Sequence, residues 1–261
     1  MSVVLVKLGG SVITDKSTYR SFDQEGTDRL AREIASSGKR VVLVHGAGSF
    51  GHVLAHEHQL QRGYLHEGQR EGVAKVQLDV RDLDLMVLRS LDRAGLPASS
   101  LPPSAFALME DGVLRDMDLG LFHRYLELGI MPVTFGDVVL DSKRRFGICS
   151  GDQLMYLLAK EFRPELIVFC ADVDGIHTAD PNLDPKAKLI ETVDQGVLDS
   201  LPRTARVKDV TGSIYGKVEA MLRLAELGRQ TMVINGKVPG RLQAALRGEK
   251  VKGSVVDGGR R

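Results

Sequence analysis

Glycine turns set beside lysines are the residues of this chain whose types and spacing point to chemistry. "VKLGGS" puts Lys7 just ahead of Gly9, Gly10 and Ser11, and "HGAGSFGH" sets Gly46, Gly48 and Gly51 between His45 and His52. Each turn follows a short apolar run, "SVVLV" or "RVVLV". Small residues at a strand end that open into a helix present backbone N–H groups and the positive end of a helix dipole, which together bind anions. Two such corners imply more than one phosphate. Taken alone, either corner also reads as an ordinary tight connection.

Two better-known phosphate motifs do not fit. Gly46, Gly48 and Gly51 match G-x-G-x-x-G, but a dinucleotide-binding unit places that motif after its first strand, with an acid closing the next strand about 20 residues on. Here a strand with its own glycine turn comes first, and Glu71 opens a long helix. Gly212 and Gly216-Lys217 are one residue too close for a Walker loop, and Val218 replaces its Ser or Thr. The sequence offers neither a Ser-His-Asp arrangement nor a closely spaced metal-ligand cluster.

The elements that must position these residues alternate. Strands are predicted over "SVVLVKL", "RVVLVH", "MPVTF", "ELIVFCA" and "QTMVIN", and helices over "QEGTDRLAREIASSG", "SFGHVLAHEHQL", residues 70–95, "GDQLMYLLAKEF", residues 213–228 and "GRLQAALRG". Ser49 is read as lying near an N-cap. "FALMEDGVLRD" carries an Asp-Gly hairpin signal, and a second hairpin is open to "TFGDVVLDSKRRFGI". This order implies an α/β fold with a mostly parallel central sheet and helices on both faces. Ligands of such folds sit beyond the carboxyl ends of the strands. Lys7–Ser11, His45–His52, Gly136-Asp137, Asp172–Gly175 and Asn235-Gly236 all fall there.

Composition limits the partners. The 261 residues carry 35 basic and 34 acidic side chains, a net charge of +1, which argues against nucleic acid or an anionic membrane surface as the main partner. Tryptophan is absent and aromatics are few, so stacking platforms for single strands are not expected. Cys149 and Cys170 fit free thiols in a reducing compartment. With neither a signal-peptide pattern nor a run long enough to span a membrane, the expectation is a cytoplasmic protein.

Nearly the whole length resembles the amino acid kinase superfamily and, within it, the isopentenyl phosphate kinases. The resemblance rests on "VKLGGSVIT-K", "VHGAGSFGH", "PSAF", "PVTFGDVVLD", "SGDQL", "ADVDGI", "DVTGSIYGK" and "VINGKVPG", in family order. The first and the aspartate-glycine turn are shared across the superfamily. The block ending in His52 is much more specific, to the isopentenyl phosphate and fosfomycin kinase branch. Where the family has "DVTGGM", this chain has Ser213 and Ile214.

The resemblance implies a three-layer αβα sandwich forming a single domain over 1–261, with about 1–165 binding the acceptor and about 166–261 binding ATP. It also implies Mg²⁺ carried mainly on the ATP phosphates, a homodimer, and transfer of phosphate from ATP to isopentenyl phosphate in an alternative mevalonate route. By resemblance Lys7 and Lys217 contact the nucleotide phosphates and Lys16 stabilises the transferring phosphoryl group. Leu8, Gly9, Gly10, Ser11, Gly48 and Gly212 lie along the nucleotide, and Asp172, Asp174 and Gly175 lie near its ribose or adenine. Asp152 orients the lysines, although its place in "SGDQ" fits a helix N-cap almost as well, and both roles are open to it. Ala47, Gly48, Gly151 and His52 surround the acceptor phosphate.

His52 falls about one turn into its helix, where an imidazole can donate to a phosphate. His45 reads as a structural strand end, and His56 and His58 as solvated helix positions. Val73, Val76 and Val80, at helical spacing, are candidates for an apolar slot, or simply core. A fosfomycin kinase or another small-molecule kinase of the same fold is the nearest alternative. A nucleotide-binding storage or sensor protein without catalysis is the alternative of another class.

Overall fold

The computed structural model describes residues 2–15, 17–179, 181, 183–200, 214–228 and 230–258, and of residues 214–217 the backbone only. The first half contains β1 (Val4–Leu8), α1 (Gly10–Ile13), α2 (Gln24–Ala35), β2 (Val41–His45), α3 (Gly48–Glu57), α4 (Gln69–Arg93) and β3 (Ala98–Ser100). There follow β4 (Ala107–Glu110), β5 (Val113–Met117), α5 (Gly120–Glu127), β6 (Met131–Phe135), β7 (Asp137–Asp141), β8 (Arg145–Cys149) and α6 (Gly151–Phe162). The remainder holds β9 (Leu166–Ala171), β10 (Thr192–Val193), α7 (Gln195–Ser200), α8 (Ile214–Ala225), β11 (Thr231–Asn235), α9 (Arg241–Leu246) and β12 (Gly253–Val256).

The main sheet has the order β10-β12-β11-β9-β1-β2-β6-β3. It is parallel except where β12 runs against β11. Its central strands are apolar on both faces, as a sheet covered on both sides requires. Val4, Val6 and Leu8 of β1 pack with α2, α4 and α9, whereas Leu5 points the other way, toward α5 and α6. Helices on both faces of this sheet make the αβα sandwich. Among the described residues no helix is long and apolar enough to cross a membrane.

Parallel register delivers the chemistry to one rim. Leu8 lies opposite both His45 and Cys170, His45 opposite Phe135, and Ala171 opposite Asn235. The turns that follow β1, β2, β6, β9 and β11 therefore leave the sheet at the same end.

Some features differ from the sequence expectation. The hairpin signals build a separate four-stranded sheet, β5-β4-β7-β8, with antiparallel β4–β5 and β7–β8 pairs. Asp111 and Gly112 at its turn both have positive φ, as the two-residue turn demands. The short helix α1 and the helix α5 were not read from the sequence. In α5, Phe122 and Leu126 are buried one turn apart. Helix α3 starts earlier than expected, with Ala47 at its N-cap, so Ser49 is a buried first-turn residue.

Candidate functional site

Lys7 is the one charged residue in an otherwise apolar β1, and strand alternation directs it to the same face as Leu5, toward α6. Its ammonium lies 5.5 Å from the centre of the Phe169 ring, its register partner on β9, and 2.6 Å from Oδ1 of Asp152. The lysine side chain is 16% exposed and the aspartate 56%. The stem is thus sheathed while the charge faces an open rim. Asp152 is free to do this because Ser150, not Asp152, caps α6: the Ser150 hydroxyl accepts from the backbone N–H of Gln153. The N-cap alternative for Asp152 is thereby excluded. Gly151 keeps the approach clear, since a Cβ there would stand 3.1 Å from Lys7 Cε.

The two glycine corners meet backbone to backbone. A Cβ on Gly10 would lie 2.6 Å from both Cα and N of Gly48. Gly48 has φ +51°, and a Cβ on it would strike Thr14. Thr14 fastens the two: its hydroxyl donates to the carbonyl of Gly10 and accepts from the N–H of Ser49. Gly9 donates to the Cys170 carbonyl, and Gly46 to that of Leu8. The Leu8 side chain is core, and Ser11 is a half-buried residue of α1.

Beside these corners lies a cavity of about 160 Å³ lined by both polar and apolar groups. Lys7, His52, Ser150 and Asp152 bring polar side chains to it, along with Gly10, Gly46, Ala47, Gly136 and Gly151. Ala55, Val76, Val138 and Ile148, all of one apolar cluster, bring hydrocarbon surface. His52 is itself exposed. His45 is buried, stacked on Phe135 with centroids 5.1 Å apart and its Nε2 3.2 Å from Asp84, as a structural residue should be. His56 is exposed, but His58 closes α3 and is seated over Gly72 of α4, where a Cβ would lie 2.4 Å from its ring. Of the three valines only Val76 reaches the cavity. Val80 is fully buried behind it, against Gly51, and Val73 packs at the margin of the same cluster. The three share a helix face, but at ~1.5 Å of rise per residue Val73 and Val80 stand about 10 Å apart along the axis, too far to meet in one small opening.

Asp137 and Cys149 also border the cavity and were not singled out as site residues. Burial pushes the Asp137 carboxyl up from its usual range, against the pull of the Ser104 hydroxyl and the nearby Arg81 charge. Burial pushes the Cys149 thiol up to about 12. "TFGDV" placed Asp137 at a strand end, and nothing in the sequence showed that β7 would turn its first residues toward α4.

Asp172 is exposed at the end of β9. Asp174 is committed elsewhere, 2.6 Å from both Arg241 and Lys252, whose charges and hydrogen bonds hold its carboxyl at about 2. Gly175 is buried against Ser254. The structure brings none of these three to the cavity. Lys16, Gly212 and the side chain of Lys217 lie outside the described residues. The segment flanking Lys16 is secured at both ends: Thr14 bridges to Phe22, while Tyr19 and Arg20 bond the fully buried Asp79 of α4, which Lys75 also reaches at 2.8 Å. Among the described residues no group of three or more His, Cys, Asp or Glu is arranged to hold a metal ion.

The sequence matches the model of the amino acid kinase family over residues 2–235. It is 40% identical to the isopentenyl phosphate kinase of Methanothermobacter thermautotrophicus, an alignment covering 98% of this chain and 99% of the relative. Among solved structures, one described as an isopentenyl phosphate kinase superimposes with a TM-score of 0.85 at 37% identity, over 97% of this chain and 99% of the other. A second, described as an isopentenyl phosphate kinase substrate complex, gives 0.82 at 32% identity over 97% and 99%.

Proposed function

Because the chain belongs to the amino acid kinase family, on its isopentenyl phosphate kinase branch, we propose that it transfers the γ-phosphoryl group of ATP to isopentenyl phosphate, giving ADP and isopentenyl diphosphate. The observation that carries this reading is the mixed lining of the cavity. A lysine and two fused glycine corners suit a phosphate, and the cluster of Val76, Val138 and Ile148 suits a short branched hydrocarbon.

The acceptor needs no base. The second pKa of a phosphate monoester is about 6, so at neutral pH it is largely a dianion and already a nucleophile. One of its oxygens attacks the γ-phosphorus, the bond to the β–γ bridging oxygen breaks, and ADP leaves. The obstacle is repulsion between anions, so catalysis is positioning plus positive charge. Lys7 and Lys217 hold the nucleotide phosphates, Lys16 neutralises the group in flight, and Asp152 aims Lys7. Gly9, Gly10, Ser11, Gly48 and Gly212 supply backbone contacts along the ATP chain. His52, Ala47 and Gly151 hold the acceptor phosphate. Asp172 and the turn at Asp174-Gly175 border the nucleoside.

The donor set fits a Mg²⁺ carried on ATP: Asp152 is engaged by Lys7 and Asp174 by two cations, so the phosphates themselves would hold the ion, which supplies charge neutralisation. The part up to about residue 165 binds the acceptor and lends Lys7 and the glycine corners to the ATP phosphates, the part from about 166 binds the remainder of ATP, and the working form is a cytoplasmic homodimer.

A coupled ADP-release assay with isopentenyl phosphate, fosfomycin, N-acetylglutamate and uridine monophosphate tests the reading. Turnover confined to isopentenyl phosphate and its close prenyl analogues is expected. Preference for any of the other three, or ATP binding with no turnover, would sink it. Lys16→Ala is expected to lower kcat by roughly 10²–10³ with ATP affinity nearly unchanged, as for loss of one preorganised charge donor.

A further inference from the structure

The apolar side chains that line the cavity come from two walls that belong to different parts of the fold. One wall is α4, through Val76, and the other is the small sheet, through Val138 of β7 and Ile148 of β8. Apolar contacts alone allow such walls to slide or spread. Here polar bonds cross between them just outside the cavity. Gln77, the neighbour of Val76, donates from Nε2 to the backbone carbonyl of Val138 at 2.8 Å. One turn further along, Arg81 donates through Nη2 to the Ser104 hydroxyl at 2.7 Å, while its Nη1 is tied to the Gln77 carbonyl at 2.8 Å. Ser104 in turn donates its backbone N–H to Asp137, whose other carboxylate oxygen accepts from the N–H of Val138 at 2.8 Å.

The chain of bonds starts beside one wall residue and ends on the other. Asp137 is only 2% exposed and Gln77, Arg81 and Ser104 are half-buried, so these bonds compete little with water. Neither Gln77 nor Arg81 lines the cavity. Their geometry does not serve phosphate binding, and core packing of α4 is already supplied by its buried face.

We infer that Gln77 and Arg81 are positioning residues that set the width of the slot for the acceptor's hydrocarbon, and thereby the preference for a short prenyl chain. This rests on the reading of the cavity as the acceptor site. A strut of this kind holds Val138 at a fixed distance from Val76, so a longer chain is refused by walls that cannot part. Released, the β7–β8 wall yields, and longer chains gain relative to the five-carbon one.

The test is the ratio of kcat/KM for geranyl phosphate to that for isopentenyl phosphate, in the wild type, Gln77→Met and Arg81→Lys. Gln77→Met keeps the side-chain bulk and removes the donor. Arg81→Lys keeps the charge and loses the fork that reaches two acceptors. Each variant should raise the ratio by about three- to tenfold, the range spanned by the net worth of one hydrogen bond, with KM for ATP unchanged. A role in folding alone would lower the melting temperature and depress both substrates equally. A ratio that stays within about twofold, or falls, in both variants overturns the inference. Should Gln77→Met fail to fold, Arg81→Lys carries the test, since the half-buried position keeps its charge and its aliphatic stem. A wild-type enzyme that ignores isopentenyl phosphate and turns over another acceptor instead defeats the underlying reading before any variant is made.

Discussion

At the scale of single residues, groups proposed to meet phosphate stand apart from groups paired within the protein. His52, which lines the cavity, is in the first class under the proposed function. His52→Ala is expected to cut turnover of isopentenyl phosphate by at least about tenfold, the loss of a hydrogen bond to a charged group. His52→Asn, which donates but takes up no proton, should restore part of it, with ATP affinity unaltered throughout. Equal inactivity of the alanine and asparagine variants, both folded, would point to a base instead. Asp174 illustrates the second class, gripped by Lys252 and Arg241. Its folded-state pKa is depressed to about 2, so its stabilisation is complete above the ordinary carboxylate value near 3.9 and disappears as pH falls toward 2. Lys252 is 63% exposed, and after that screening about 1–2 kcal/mol remains. Denaturant titrations of the wild type and Asp174→Asn should therefore differ at pH 6 and converge by about pH 2. A difference that persists at low pH would mean the carboxylate acts through something other than its charge.

At the scale of elements, the fused glycine corners show what one side-chain atom can do. Gly10→Ala would drive a methyl group into the Gly48 backbone, which cannot rotate away as a side chain could. The expected cost is about 1–3 kcal/mol of stability, as for overpacking elsewhere, together with a large loss of kcat/KM. Gly38, at positive φ but with nothing within 4 Å of its would-be Cβ, is the control. Gly38→Asn should unfold within about 0.5 kcal/mol of the wild type, because asparagine tolerates that conformation. If Gly10→Ala proves equally harmless, the corners are less tightly joined than their geometry implies. These corners were legible in the sequence because an apolar strand ending in two small residues is a local signal, although the short helix α1 after the first was not. Helix α4 was legible as a helix, but which of its valines would face a ligand was not. That depended on β7 and β8 folding into a second sheet alongside it, a contact between residues more than sixty positions apart. For the same reason Asp152 was ambiguous: cap and lysine partner share one spacing, and only the hydroxyl of Ser150 decides between them.

At the scale of the whole molecule, a parallel sheet with apolar strands and helices on both faces followed from periodicity, and the placement of five strand ends on one rim followed from parallelism itself. The strand order, the antiparallel β12 and the separate four-stranded sheet did not, because strand pairing is set by long-range packing that no window of sequence contains. The division into two sheets also gives the two cysteines different fates. Both thiols are pushed up to about 12 by burial and are inert while their strands stay closed. Cys170 lies on β9, paired on both sides by β1 and β11, whereas Cys149 lies on β8, an edge strand of the smaller sheet. Each thiol is thus a clock for the opening of its own sheet. Under mild denaturant, alkylation followed by mass spectrometry should mark Cys149 well before Cys170. Cys149 borders the proposed acceptor site, so isopentenyl phosphate should slow that clock and leave the other running at its own pace. Identical rates under all conditions would instead show the two sheets parting as one.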